Sequence, residues 1–401
     1  MNNLFENVKA SKKNPKWENM ISREQPLYVR NNSLRSEFER DYTRIINSNG
    51  YKRLKHKTQV FFRPKSDHIC TRSEHVTLVE SISHTLAQNL GLNTELTKAI
   101  ATAHDIGHSP FGHAGEKILS EISKKDLDES FWHERNGINM LDNIELLEDL
   151  DMNYENLNLT YAVRDGVISH CGEIDENSLK PRDEFINLYD YNYPNQYAPY
   201  TWEGCVVKIS DKISYICRDI EDAIRLHILD NDLDDLYNIL QLPKGKKINN
   251  TTIVNELIYD LYKNSTPEKG LCFSEEKFNL LNSIKKFNYT KIYGSKKVRQ
   301  SDKYFSLIIN EFYELLKTCY DGKNTLNKLK EIEHFYPTLI STFIYWISNY
   351  WDLTNRTNSN LKNKVIFNID NEQDYYRAII YFISGMTDNF AIDTYMEMIS
   401  F

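Results

Sequence analysis

Glycine and proline are scarce in this chain, at 14 and 10 of 401 residues. That excludes collagen-like repeats and low-complexity disorder, both of which need those residues in quantity. Long apolar runs are missing too. No stretch approaches the ~18 uninterrupted apolar residues of a membrane span. The opening MNNLFENVKASKKNPKWENM lacks the apolar segment of a signal peptide. Basic residues are not in excess: 49 Lys and Arg stand against 57 Asp and Glu, a net charge of −8. This argues against coating nucleic acid or an anionic membrane through net charge, though it leaves room for a local basic pocket. The six cysteines, Cys70, Cys171, Cys205, Cys217, Cys272 and Cys319, contain no CxxC pair. They read as free buried thiols in a reducing, cytoplasmic setting. What the chain has in quantity is core material: 40% hydrophobic residues, with 26 Tyr and 18 Phe. Its length gives a prior of about two or three domains.

The dominant pattern is helical, and the expected fold is all-α. From Val76, the residues Val79, Ile82, Leu86 and Leu90 recur at helical steps, with Gly91 placed as a C-cap. Leu96, Ile100, Ala101 and Ala103 predict a helix running into His104, and Ile118, Leu119 and Ile122 another after Gly115. The pattern also predicts helices over 133–148, 160–170, 252–263, 274–286, 302–319, 325–349 and 372–399. The longest runs from Trp202 to Leu229, carrying Val206, Val207, Ile209, Ile213, Ile216, Ile220 and Ile224. Lys57–Arg63 is the one short, ambiguous strand signal. The expected organisation is an N-terminal extension over 1–34, a core over 35–235, and helices over 236–401 packed on that core.

Four of the 11 histidines, His104, His108, His113 and His133, fall within thirty residues, three of them in AHDIGHSPFGHAGE (103–116). Imidazoles this dense beside Asp105 and Glu116 point to a divalent metal site or to general acid–base chemistry. Neighbours on a helix point about 100° apart, so His104 and Asp105 can meet one ion only near a helix end or across a cleft, with further ligands from elsewhere. His75, in TRSEHV, and Asp211, in KISDKISYICRDIED, are the candidates. Asp211, Tyr215 and Asp219 share one helix face at i, i+4 and i+8. That face reads either as a solvated surface with pairs such as Asp211–Lys212 and Arg218–Asp222, or as the partner of a metal. Asp211 lies in the most apolar part of its helix, where a carboxylate needs a partner.

His75, then His104–Asp105, then Asp211, follow the H…HD…D order of the HD-domain metal-dependent phosphohydrolases. The chain further resembles the deoxyguanosine triphosphate triphosphohydrolases and the related deoxynucleotide triphosphohydrolases. The resemblance is carried by NGYKRLKHKTQVF (49–61), TRSEHV (71–76), AHDIGHSPFGHAGE, WHERNG (132–137), NLTYAVRDGVISHCGE (158–173), the Asp211 helix, KIYGSKKV (291–298) and GMTDNFA (385–391), and it spans about residues 35–395. HD alone is a weak signal; HD followed by GHxPFGHxGE, in order with the rest, is specific.

The resemblance implies an HD-domain helical bundle with additional C-terminal helices, and hydrolysis of a deoxynucleoside triphosphate, dGTP first, to deoxynucleoside and inorganic triphosphate. His75, His104, Asp105 and Asp211 would hold one divalent ion per subunit: Mg, Mn, Fe, Co or Zn. His113 with Glu116 matches the catalytic His–carboxylate pair, its role as acid, base or nucleophile being open, and His108 and His133 match positions near the phosphates. Arg72 and Lys212 match phosphate contacts, Tyr215 and Asp219 contacts to the sugar 3′-hydroxyl, and Gln59 a position near the sugar. His170 reads equally as structural or functional. The run Lys291, Lys296, Lys297, Arg299 reads as a solvated face or as a neighbour of the triphosphate or an effector. Implied partners are the substrate, a deoxynucleotide or single-stranded DNA effector, and copies of the chain in a dimer or hexamer; no membrane is expected. Cys70 and Leu78 depart from the family, standing where many relatives carry Arg and Glu. Two other readings stay open: another HD phosphohydrolase, such as a nucleotide phosphodiesterase, and a nucleotide- or DNA-binding sensor without catalysis.

Overall fold

The helix from Arg72 to Leu90 begins where its sequence says it must. Thr71 accepts the Glu74 N–H, and the Glu74 carboxylate accepts the Thr71 N–H, a reciprocal capping box. Gly91 ends it in the left-handed region at φ 79°, the conformation a residue without Cβ adopts at least cost. This is the computed structural model of the chain, and it describes residues 4–27, 33–62, 66, 68–170, 176–352 and 359–400. Cys171 lies outside the described residues.

The chain forms two compact units, each assembled from separated stretches. The first comprises Met1–Tyr42, Gln59–His104 and Thr160–Ser301. At its centre the helices Arg72–Leu90, Thr94–Ala103, Tyr161–Ser169 and Trp202–Arg225 pack on one another. The 24-residue Trp202 helix starts at Thr201, whose hydroxyl accepts the Gly204 N–H. It buries Val206, Ile209, Ile213, Ile216 and Ile220 along one stripe, spaced three and four residues apart as an amphipathic helix requires. Each such side chain contributes about 1.5–3 kcal/mol on burial. Asn250–Asn264 and Glu275–Phe287 cover the same core with Leu257, Leu261, Leu281 and Ile284.

The second unit comprises Thr43–Thr58, Asp105–Leu159 and Asp302–Phe401. Its helices Gly112–Leu127, Asp302–Lys317 and Glu372–Ser384 pack together, flanked by Thr325–Ile332, Pro337–Ser348 and Asp388–Met398.

The fold is helical, as the sequence leads one to expect, with four local corrections. The helix expected to reach Leu229 stops at Arg225, because His227 turns left-handed at φ 56° and the Ile228 N–H closes back on Ala223 O at 2.9 Å. The span 133–148 is helical only to Ile144: Leu146–Glu148 pairs antiparallel with Tyr154–Asn156. The turn between them is built by the Asp149 carboxylate, which accepts the Asp151 and Asn153 N–H groups at 2.8 Å each. The span 325–349 is two helices, since Pro337 opens the second. The span 372–399 breaks at Gly385, and Thr387 caps the next helix through the Phe390 N–H. Lys57–Phe62 belongs to no strand, and Arg63 lies outside the described residues. Cys70, Cys205, Cys217 and Cys319 are buried free thiols as expected, but Cys272 is only half-buried. Among the described residues, no helix is long and apolar enough to cross a membrane.

Candidate metal centre and acid–base cluster

In the first unit, three helices bring His75, His104 and Asp211 together. His75 sits one turn into the capped Arg72 helix, His104 ends the Thr94–Ala103 helix, and Asp211 lies midway along the Trp202 helix. His75 Nε2 is 2.9 Å from Asp211 Oδ1, and His104 Nε2 is 3.8 Å from the same oxygen. The three donor atoms lie within 4.8 Å of one another, the spacing of ligands that share an ion at about 2.0–2.3 Å. Tautomers support the same arrangement. His104 Nδ1 donates to Ala101 O at 2.7 Å, so its Nε2 carries the lone pair that faces the cluster. His75 Nδ1 is engaged by Ser214 Oγ at 3.3 Å. Burial raises the Asp211 carboxyl, but the hydrogen bond and charge of its His75 neighbour lead the effects that outweigh it and hold the group below its ordinary value. The donor set fits a divalent ion: two imidazole nitrogens and a carboxylate oxygen gathered within 4.8 Å of one another.

Most of the substrate-side candidates of this unit are buried polar groups. Arg72 is 1% exposed and donates through Nη2 to Gln59 O at 3.4 Å. Gln59 Oε1 is buried with no hydrogen-bond partner among the described residues. Lys212 is 4% exposed, a costly place for an ammonium unless anionic groups approach it. Tyr215 is half-buried. Asp219 is buried and accepts the Tyr293 hydroxyl at 2.5 Å. Burial and the Asp219 carboxylate hold that phenol well above its ordinary range.

The second unit gathers the remaining candidates. Asp105 Oδ1 lies 3.1 Å from His108 Nδ1. Glu116 is the hub of a histidine cluster. Its Oε2 is 3.3 Å from His113 Nδ1 and 3.1 Å from His133 Nδ1, and its Oε1 accepts the His133 N–H at 3.1 Å. Glu134 adds a carboxylate oxygen 3.3 Å from His133 Nδ1. The His108 and His133 rings lie 3.8 Å apart, centre to centre. Burial raises the Glu116 carboxyl, yet the charge of His133 and the hydrogen bonds of both histidines bring it well below its ordinary value. The side chain of His113 is 75% exposed, free to meet a reacting group.

Backbone demands explain the glycines of this segment. A Cβ on Gly107 would meet His133 O at 2.0 Å, and one on Gly115 would meet Pro110 O at 1.9 Å. These glycines let main chain lie against main chain.

Two residues that the sequence did not single out, Ser214 and Tyr293, stand beside the candidates, as does His170, which it read evenly as structural or functional. The His170 ring lies 4.9 Å from that of His104, and its Nδ1 donates to Val167 O at 2.6 Å. Ser214 holds His75, and Tyr293 holds Asp219. Tyr293 and Asp219 are 74 positions apart, and no local pattern signals such a pair; Ser214, three residues after Asp211, could have been found from helical spacing. Part of the basic run is committed within the unit. Lys291 pairs with Asp232 at 2.5 Å and Asp235 at 3.3 Å, Lys297 donates to Leu226 O at 2.6 Å, and Arg299 to Tyr293 O at 3.2 Å. Cys70, at the departure from the family pattern, donates its N–H to Asp222 Oδ2 at 2.9 Å.

The chain is similar to known proteins over this region. The HD domain family matches residues 72–216. A deoxyguanosinetriphosphate triphosphohydrolase-like protein of Caldanaerobacter subterraneus subsp. tengcongensis is 38% identical over 283 residues, covering 70% of this chain and 72% of the relative. Proteins of the same description are 31% identical in Rickettsia bellii, over 92% of this chain and 93% of the relative, and 32% identical in Rickettsia prowazekii, over 95% and 94%. With the histidine–aspartate cluster standing inside the matched region, the chain belongs to the deoxyguanosinetriphosphate triphosphohydrolase-like family of HD-domain proteins.

Proposed function

We propose that the protein hydrolyses a deoxynucleoside triphosphate, dGTP first, to the deoxynucleoside and inorganic triphosphate. The observation that carries this reading is the His75–His104–Asp211 cluster, whose donor atoms lie within 4.8 Å of one another, with the other nitrogen of each histidine already engaged. Asp105, directly after His104 in the chain, completes the ligand set by the family resemblance. When bound, a divalent ion supplies Lewis-acid polarisation of a phosphoryl oxygen and acidifies water.

The chain's own residues do the rest. Arg72 and Lys212, both buried, offset the ~3–4 negative charges of a triphosphate in a site whose ligands already contribute carboxylates. His108 and His133 donate hydrogen bonds to phosphate oxygens. In the reaction a water oxygen bonds to the α-phosphorus and releases a proton to solvent, and the bond from that phosphorus to O5′ breaks, leaving its electron pair on O5′. His113, as imidazolium held by Glu116, donates its proton to that oxygen. Tyr215 lies under the sugar, and Asp219, fixed by Tyr293, accepts the 3′-hydroxyl.

The test is product identity. The pure protein is incubated with each of the four deoxynucleoside triphosphates, with GTP and with a cyclic nucleotide, in Mg²⁺ or Mn²⁺, with and without a second deoxynucleotide or single-stranded DNA, and products are separated by chromatography. Triphosphate with nucleoside is the expected outcome. Pyrophosphate with monophosphate overturns the reading, and release of a phosphomonoester from a cyclic nucleotide alone assigns the site to a phosphodiesterase.

A further inference from the structure

Phe111 is the residue immediately before the helix that carries His113 and Glu116, and its backbone is left-handed, at φ 65°. Gly112 follows at φ 59°. Two consecutive positive φ values turn the chain sharply into the helix, and at an aromatic residue that conformation is disfavoured and persists only where surroundings enforce it. The surroundings are specific. The Phe111 ring stacks on Phe305, 4.4 Å between centres and 7° between planes. The Phe111 N–H donates to Asp388 Oδ1 at 2.9 Å, and the other oxygen of the same carboxylate accepts the Thr58 N–H, also at 2.9 Å. Asp388 is 3% exposed. A buried carboxylate that takes two backbone N–H groups makes charge-assisted bonds, the strong kind.

The rest of the loop is tied to the same turn of chain. Lys57 Nζ bridges His108 O to Ser384 O, and Asn136 Nδ2 bridges Gly107 O, at 2.6 Å, to Ser384 Oγ, at 3.2 Å. Residues 384–388 thus grip 107–111 at three points, all within the second unit. His113 is mostly exposed; its side chain bonds to Glu116 on its own helix, and its ring lies 5.7 Å from that of His108, in the gripped loop, and 6.0 Å from that of His133. Its position is therefore inherited from where that helix starts.

We infer that Asp388 is a positioning residue for the acid–base pair: by holding Phe111 left-handed, it sets the start of the helix and so the direction in which His113 is presented. This inference rests on the proposed function for its kinetic consequence, whereas its structural consequence stands apart from turnover.

The test uses the full chain with Asp388→Asn, Asp388→Ala, Phe111→Asn and the double variant Phe111→Asn/Asp388→Ala. Asparagine tolerates the left-handed region better than phenylalanine, so it needs less external restraint. In Asp388→Ala, kcat falls about 10- to 100-fold, as a small misplacement of a reacting group produces, while KM stays within about threefold. The double variant recovers part of that loss; burial or capping of Asp388 alone gives no reason for rescue from position 111. Independently of turnover, amide exchange in peptides covering 108–114 accelerates in Asp388→Asn, the better-folded substitution, while peptides covering 72–90 keep wild-type rates. Unchanged exchange at 108–114, or a kcat loss that Phe111→Asn leaves intact, overturns the inference. If the wild-type protein releases no triphosphate, the proposed function fails, and the exchange measurement still decides the role of Asp388.

Discussion

The two nitrogens of His104 have separate tasks: Nδ1 donates to Ala101 O, and Nε2 faces Asp211 at 3.8 Å. His113 is the opposite case, exposed and bonded only to an ionised carboxylate among the described residues. The two residues should therefore fail differently. His104→Ala is expected to lose both the ion and turnover. His113→Ala is expected to keep the ion by elemental analysis and to lose about 10²–10⁴ in kcat, the range of a general acid. Full-speed turnover by His113→Ala would defeat the role given to it. Glu116 carries a pH prediction. Burial would raise its carboxyl, but the His133 charge and the histidine hydrogen bonds depress it well below 4.5. A carboxylate with a depressed folded pKa holds fewer protons folded than unfolded. Its stabilisation is thus full above the ordinary carboxylate range and is lost as pH falls through the folded value. Denaturant midpoints measured between about pH 3 and pH 6 should rise with pH in the wild type and rise less steeply in Glu116→Gln. Parallel slopes would remove Glu116 as the cause. These residues were legible because their chemistry is dense and local. Tyr293 was not singled out, and His170 was left evenly between a structural and a functional reading, because each stands against a partner more than sixty positions away.

At the level of elements, the signals that succeeded were those with a stereochemical mechanism behind them. Gly91, read as a C-cap, does end the His75 helix, whose other end is set by the Thr71–Glu74 capping box that the structure reveals. The failures were continuations of apolar periodicity through breakers that act locally: Pro337, Gly385, the left-handed His227, and the Asp149 turn. Periodicity reports which face is apolar and says little about where backbone hydrogen bonding stops. The capping box yields a prediction that joins stability to the site. His75 lies in the first turns after Thr71, so fraying there moves a proposed ligand. Thr71→Ala is expected to cost about 1 kcal/mol in denaturation and to weaken ion affinity by about two- to tenfold, whereas Thr71→Ser keeps both. A destabilised Thr71→Ala protein with wild-type ion affinity would separate the cap from the metal centre.

Over the whole molecule, the sequence disclosed the class of fold and the family but not the interleaving of the chain. The boundary between the compact units falls between His104 and Asp105, inside the most informative dipeptide of the sequence. No composition shift or linker marks it: the first unit resumes only at Thr160, and the second, left at Thr58, resumes at Asp105. Within the first unit the three clustered donors come from three separate helices, so an ion held there cross-links the unit's central packing. The unfolded chain cannot assemble those donors, and binding therefore stabilises the folded state by RT ln(1 + [M]/Kd), about 2.7 kcal/mol at a hundredfold excess over Kd. Chelation of the metal-loaded protein should lower its melting temperature by about 3 °C for a chain of this size. Restoring Mn²⁺ should reverse the shift. The same titration with His104→Ala should show no metal-dependent shift, because the cluster is broken, whereas His113→Ala should shift as the wild type does. A melting temperature indifferent to chelator and Mn²⁺ in the wild type would mean that His75, His104 and Asp211 meet for packing alone, and the hydrolytic reading would lose its foundation.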